Sequence, residues 1–222
     1  MILGFVELQN PDAARKQILD LQQQVIKDPY FQDFPSINRT ALAFHAKDDV
    51  PEIRYAFFKL LTELDFQAQF VVARKIERVF RNSFHANEGE FYDHLVTHLF
   101  ERVLHRYEKN HIYFAKRGSR SRQAPLLQAL QKSVGQFEEK WKTKVQSTYE
   151  VHAQTPVGEP CLSIVDYMNW AVFRAFTRGE MRSYRVVESK VSLLVDLYDT
   201  AHYPKNWYNR QNPFDINKIT PL

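Results

Sequence analysis

An acid inside an apolar helix is the first pattern in this chain that could do chemistry. Leu162 to Arg174 reads Leu-Ser-Ile-Val-Asp-Tyr-Met-Asn-Trp-Ala-Val-Phe-Arg, and Asp166 is its one carboxylate. A carboxylate taken out of water needs a cation, a metal ion or several hydrogen-bond donors. Two readings of Asp166 stand. It caps the helix or pairs with Arg174 or Lys190, or it is a metal-binding carboxylate. A second cluster lies in Phe44-His45-Ala46-Lys47-Asp48-Asp49-Val50-Pro51. Sites in open α/β sheets gather at strand ends, and a strand over Thr40–Ala46 would end here. An Asp ahead of Pro51 is also the expected N-cap of a helix. One of Asp48 and Asp49 is therefore expected to cap, which leaves the other open. His45 is either a packed, hydrogen-bonded residue or a base.

The third cluster is basic. Lys116, Arg117, Arg120 and Arg122 crowd a predicted strand exit. Cations grouped in this way neutralise phosphates and release counterions, and arginine forks onto phosphate oxygens. A solvated loop is the other reading. Lys75, Glu77 and Arg78 follow a second apolar run and either reach the same sheet edge or form a solvated strand exit. His94 and His98 stand four residues apart, but Leu95 occupies the place of the glutamate in an HExxH zinc motif, so they read as a solvated histidine face. Cys161 is the single cysteine, which excludes an internal disulfide and a multi-cysteine metal knot. It has no evident histidine partner and reads as structural. No Walker A loop, GxGxxG or GxSxG is present.

The elements that must position these residues alternate. A strand is expected over Ile2–Leu8, then a helix over Ala13–Ile26 with Asn10 as cap and Pro11 at its first position. A strand over Thr40–Ala46, a helix from Pro51 to about Leu64 and a buried strand around Phe70-Val71-Val72-Ala73 follow. Helices are expected over Glu90–Glu108, Pro125–Trp141, Leu162–Thr177 and Tyr184–Tyr198. Strands are expected over His111–Ala115 and Thr148–Thr155. Strands separated by helices predict a sheet with helices packed on it. One domain over residues 1–203 is expected, with an irregular tail over 204–222 packed on it.

The chain has 222 residues, with 44% hydrophobic and 25% charged, a balance that supports a packed core and argues against disorder. A net charge of +4 permits an anionic partner without requiring one. No apolar run is long enough to span a bilayer, and the apolar start lacks a basic n-region, so a cytoplasmic protein without a membrane partner is expected.

Taken together, the segments resemble a known family. Phe44 to Leu61, Ile112 to Arg122, Glu159-Pro160-Cys161-Leu162-Ser163-Ile164-Val165-Asp166-Tyr167 with Trp170-Ala171 and Arg174, and Arg182-Ser183-Tyr184 are similar to the bacterial domain of unknown function 3800 family. The resemblance covers nearly the whole chain, and the Asp-Tyr helix followed by Trp, Ala and Arg is its most specific part. It implies a ribonuclease H-like α/β fold with a mixed sheet flanked by helices. It also implies metal-dependent phosphodiester chemistry, in which carboxylates hold divalent ions that activate water. Asp166 matches the late-helix acid of the family. The chain departs from the family in two places. Members open with a strand carrying Asp-Glu-Ser-Gly, which is missing here, and the strand His111–Ala115 carries no acid.

The resulting expectation is a nuclease or phosphodiesterase-like hydrolase using Mg²⁺ or Mn²⁺. Asp166 and Asp49 would hold metal, and Asp166, Asp48 and His45 would carry the catalysis. Lys75, Arg117, Arg120, Arg122 and Arg174 would hold nucleic acid. The alternative is a non-catalytic module of the same fold that binds nucleic acid or a partner. A missing strand would expose a sheet edge, which suggests a homodimer.

Overall fold

The structure is a computed structural model that describes residues 1–116 and 123–219. Arg117, Arg120 and Arg122 lie outside the described residues. The chain opens with strand β1 (Ile2–Leu8) and helix α1 (Pro11–Lys27). Asn10 caps α1 by accepting the Ala13 N–H at 3.1 Å, with Pro11 in the first turn, as its sequence predicts. The short helices α2 (Pro29–Gln32) and α3 (Ile37–Thr40) lead to α4 (Pro51–Glu63) and strand β2 (Phe66–Val72). Helices α5 (Glu77–Phe84) and α6 (Glu88–Phe100) precede strand β3 (Lys109–Ala115). Helix α7 (Gln123–Trp141), strand β4 (Thr148–Gln154) and helix α8 (Leu162–Arg178) follow. Gly179 ends α8 at φ +67°, a left-handed position that glycine takes without strain. Helix α9 (Arg182–Val187), strand β5 (Val191–Asp196) and the short strand β6 (Trp207–Tyr208) complete the chain.

The class is α/β, with 52% helix, 17% strand and a mixed sheet flanked by helices. One sheet has the order β1-β2-β5-β6, with β5 and β6 antiparallel. The other is the parallel pair β3-β4.

Three expectations about elements are corrected. Thr40–Ala46 is not a strand. The backbone turns helically through Ala43, and Phe44 and Ala46 are buried as anchors of a loop rather than as rungs of a ladder. Period-two burial makes a strand only where a neighbouring strand supplies backbone partners, and here side chains supply them. Tyr184–Tyr198 is not one helix. The helix stops at Val187, and Val191-Ser192-Leu193-Leu194-Val195-Asp196 takes a place between β2 and β6. The helix expected to run to Glu108 ends at Phe100.

The chain forms two compact units. The larger comprises Ile2–Phe70, Thr155–Val195 and the chain from Asp199; the smaller comprises Met1, Val71–Gln154 and Asp196–Tyr198. In the larger unit α8 packs against β1 and α9, and α4 packs against α1 and α9. Its centre holds Ile53, Phe57 and Leu61 of α4 and Ile164, Tyr167 and Met168 of α8, all fully buried. Rings join this core to the loop before α4, with Phe44 4.7 Å from Phe57 and Phe57 4.1 Å from Tyr167. β1 and β2 approach α8 closely at Gly4, where a Cβ would lie 2.4 Å from the buried Phe70 ring, so only glycine fits. The tail contributes Phe214, which stacks on Phe176 at 4.8 Å.

In the smaller unit α6 packs on α7 and on α5, and α7 covers β4. Ile112 and Phe114 face inward from β3, and the alternate residues Lys109, His111 and Tyr113 face solvent. No helix among the described residues is long and apolar enough to cross a membrane.

Candidate functional site

The expected acids and the histidine meet in the larger unit, between the loop over residues 41–50 and helix α8. Four side chains hold that loop by its backbone. Asp49 accepts the Thr40 hydroxyl at 2.7 Å through Oδ1, and the His45 N–H at 2.8 Å through Oδ2. Arg54 donates from Nε to the Ala46 carbonyl at 2.8 Å and from Nη2 to the Asp49 carbonyl at 2.6 Å. Ser163 donates its hydroxyl to the Phe44 carbonyl at 2.9 Å, and Asp166 Oδ2 accepts the Ala46 N–H at 2.8 Å. These bonds replace the ladder that a strand would have provided.

Helix α8 is itself pinned at its start. Arg15 of α1 grips Glu159 with Nε at 3.0 Å from Oε1 and Nη2 at 2.7 Å from Oε2, and Glu159 Oε1 accepts the Cys161 N–H. Burial alone would raise the Glu159 carboxyl, but Arg15 and the Cys161 N–H outweigh it and hold it below its ordinary range. The Cys161 thiol is pushed up to about 12, chiefly by burial and then by Glu159, so it is no nucleophile at neutral pH. This agrees with its structural reading.

Asp166 stands one turn into α8, with its side chain 32% exposed. Its Oδ1 lies 3.7 Å from His45 Nε2, outside direct hydrogen-bond range. The other ring nitrogen of His45 lies 3.9 Å from Asp48 Oδ2, and Asp48 lies 3.6 Å from Arg39 Nη1. An imidazole thus sits between two carboxylates. Burial raises the Asp166 carboxyl above its ordinary range; the Ala46 N–H and His45 oppose the rise, and Asp49 and Asp48 add to it. Neither partner expected for a purely structural Asp166 meets it. Arg174 is bound to Glu180, with Nε at 2.8 Å, and Lys190 donates to the Leu64 carbonyl at 2.5 Å.

Asp49 and Asp48 do not cap α4, whose cap position is Val50. Asp49 is buried, and besides the two donors already given it accepts the Tyr167 hydroxyl at 2.5 Å. Burial, and then Asp49, pushes the Tyr167 hydroxyl far above its ordinary value, so it remains a donor. With both oxygens of Asp49 engaged, Asp166 and Asp48 are the carboxylates open to a ligand.

Asp166, Trp170 and Arg174 recur every four residues and share a face of α8. Trp170 lies between two guanidiniums, 4.6 Å from Arg54 and 5.3 Å from Arg174. Lys75 belongs to the smaller unit, where it pairs with Glu88 at 2.8 Å and lies 4.1 Å from the Phe80 ring centre.

The smaller unit also holds His94 and His98, whose rings meet edge to face at 4.4 Å. They are half-buried rather than solvated, which corrects the reading of their helix face. Burial, then His98, lowers His94 to about 4, so it is neutral in the fold. Sequence reasoning passed over Arg54 and Thr40, which hold the loop, because neither stands in a motif. It also passed over His111, Glu150 and His152, which converge on the exposed face of β3 and β4. Comparison with protein-family models, curated proteins and solved structures finds no match for this chain.

Proposed function

We propose that the larger unit is a ribonuclease H-like phosphodiester hydrolase of the kind that the family resemblance implies. Asp166 binds Mg²⁺ or Mn²⁺, and His45 carries the proton, held between Asp166 and Asp48. One observation carries this reading. Asp166 has one oxygen held by the Ala46 N–H, while the other faces His45 without a direct hydrogen bond among the described residues. A carboxyl raised by burial and left with an open oxygen gains from a cation, and perturbed acids in accessible sites mark function more often than chance. The metal would activate water and neutralise the leaving oxygen. Nucleic acid is the proposed substrate, with the Trp170–Arg174 face of the larger unit supplying phosphate and stacking contacts.

The test is hydrolysis of single- and double-stranded DNA and RNA with Mg²⁺ or Mn²⁺. Asp166→Asn is expected to lose on the order of hundredfold or more in rate, as is typical when a group that stabilises transition-state charge is removed. Equal rates in both proteins would remove Asp166 from the chemistry.

A second reading has its own support. With Asp49 fully engaged by three donors, few carboxylates are left for two-metal catalysis. A non-catalytic module that binds nucleic acid would need none. Salt-dependent binding that persists in Asp166→Asn without metal is its signature. A homodimer would form through β1, the edge of the four-stranded sheet.

A further inference from the structure

The parallel ladder of β3 and β4 sets a different group of ligands side by side. His111 is the register partner of Glu150, and Tyr113 is the partner of His152. Residues two apart on a strand share a face, so Glu150 and His152 point the same way and His111 lies across from them. His111 Nδ1 lies 3.4 Å from Glu150 Oε2, and His152 Nε2 lies 3.7 Å from the same oxygen. The three ligand atoms all lie within 4.8 Å of one another.

We propose that His111, Glu150 and His152 bind a zinc ion on the exposed face of this strand pair. Zinc bonds of 2.0–2.1 Å in tetrahedral geometry place neighbouring ligand atoms about 3.3–3.4 Å apart, so the 3.4 and 3.7 Å separations from Glu150 Oε2 need little closure. Two imidazoles and one carboxylate form a borderline donor set that suits zinc, whereas Mg²⁺ and Ca²⁺ prefer oxygen ligands alone. The groups around the site already orient the ligands. Lys109 holds Glu150 Oε1 at 3.1 Å, which leaves Oε2 turned toward both imidazoles. The Tyr113 ring stacks on His152 at 4.9 Å and sets its plane. All three ligands are partly exposed, so the fourth coordination position opens to solvent and takes water or a small anion. The site uses no residue of the Asp166 cluster and does not depend on the phosphodiesterase reading.

The test uses the full chain without a histidine tag, stripped of metal and titrated with Zn²⁺ against a chromophoric chelator. A zinc site is expected whose affinity falls on the order of tenfold or more in His111→Ala, Glu150→Gln and His152→Ala. Co²⁺ bound there is expected to give the intense visible absorption of four-coordinate cobalt. His94→Ala/His98→Ala and Asp166→Asn are expected to keep the affinity, and excess Mg²⁺ is expected not to compete. The side chains of His111, Glu150 and His152 face solvent, so circular dichroism is expected to show the variants at these three positions folded. Equal zinc affinity in the native chain and in His111→Ala/His152→Ala would overturn the proposal. So would the octahedral cobalt spectrum of an ion held mainly by water.

Discussion

In the larger unit the acid and imidazole cluster rides on a loop held by Asp49, Arg54, Ser163 and Asp166, which come from distant parts of the chain. In the smaller unit the His111–Glu150–His152 cluster rides on a strand ladder and faces water. The first arrangement is networked around the buried Asp49, so removing that carboxylate strands its three donors. The second is a set of exposed ion pairs, each worth little to stability. Two groups of similar chemistry thus carry very different structural loads, and the load is set by what else each carboxylate holds.

Asp49→Ala should break the larger cluster outright. It leaves the Thr40 hydroxyl, the His45 N–H and the Tyr167 hydroxyl without their acceptor, at a cost of about 3–5 kcal/mol. Urea unfolding reads the loss, and hydrogen exchange at the His45 amide locates it. A loss below about 1 kcal/mol would mean that Arg54 and Ser163 suffice to hold the loop.

Acid should move the two units in opposite directions, a smaller effect. Asp166 titrates above its ordinary range in the fold. As pH rises through the window between the unfolded and folded values, the folded state keeps a proton that the unfolded state has lost, so stability falls and the penalty persists above it. Asp166→Asn should therefore be the more stable protein at neutral pH and equal to the native chain near about pH 3. His94 titrates at about 4 in the fold, below its ordinary 6.5. Its contribution is complete above 6.5 and is lost as pH falls toward 4, and His94→Gln should flatten that loss. Hydrogen exchange followed across pH separates the units. The same slope in both would contradict the difference drawn between them.

Glu150→Gln should do least. In metal-free protein it removes only exposed pairs with Lys109, His111 and His152, and the thermal unfolding midpoint should stay where it is in the native chain. A clear drop in that midpoint would show that the β3–β4 face depends on this carboxylate as the loop depends on Asp49.

Much of the scaffold was legible in the amino-acid order. Asn10-Pro11 marked the start of α1, the apolar run Phe70-Val71-Val72-Ala73 marked β2, and the apolar stretch from Leu162 marked α8. These signals are local, because a cap or an apolar run acts within a few residues. Two segments misled for one reason. Phe44 and Ala46 alternate in burial with His45, and Val187, Val191 and Leu194 share a helical spacing, yet each pattern fits more than one backbone. Asp166, His45 and Asp48 were visible as chemistry-bearing types, and the contact of Asp166 with His45 was not.

By itself the sequence determined an α/β chain, an acid set in the apolar helix α8, and a histidine followed by two acids ahead of α4. The tertiary structure decided which acid is committed to the scaffold and which is left open. Asp48 and Asp49 are adjacent and chemically identical, but only Asp49 meets Thr40 and Tyr167. It likewise decided that His111 stands beside Glu150, since strand register is a long-range choice made by the packing of Ile112 and Phe114 in the core. Burial and partnership belong to the folded chain as a whole, and no local signal carries them.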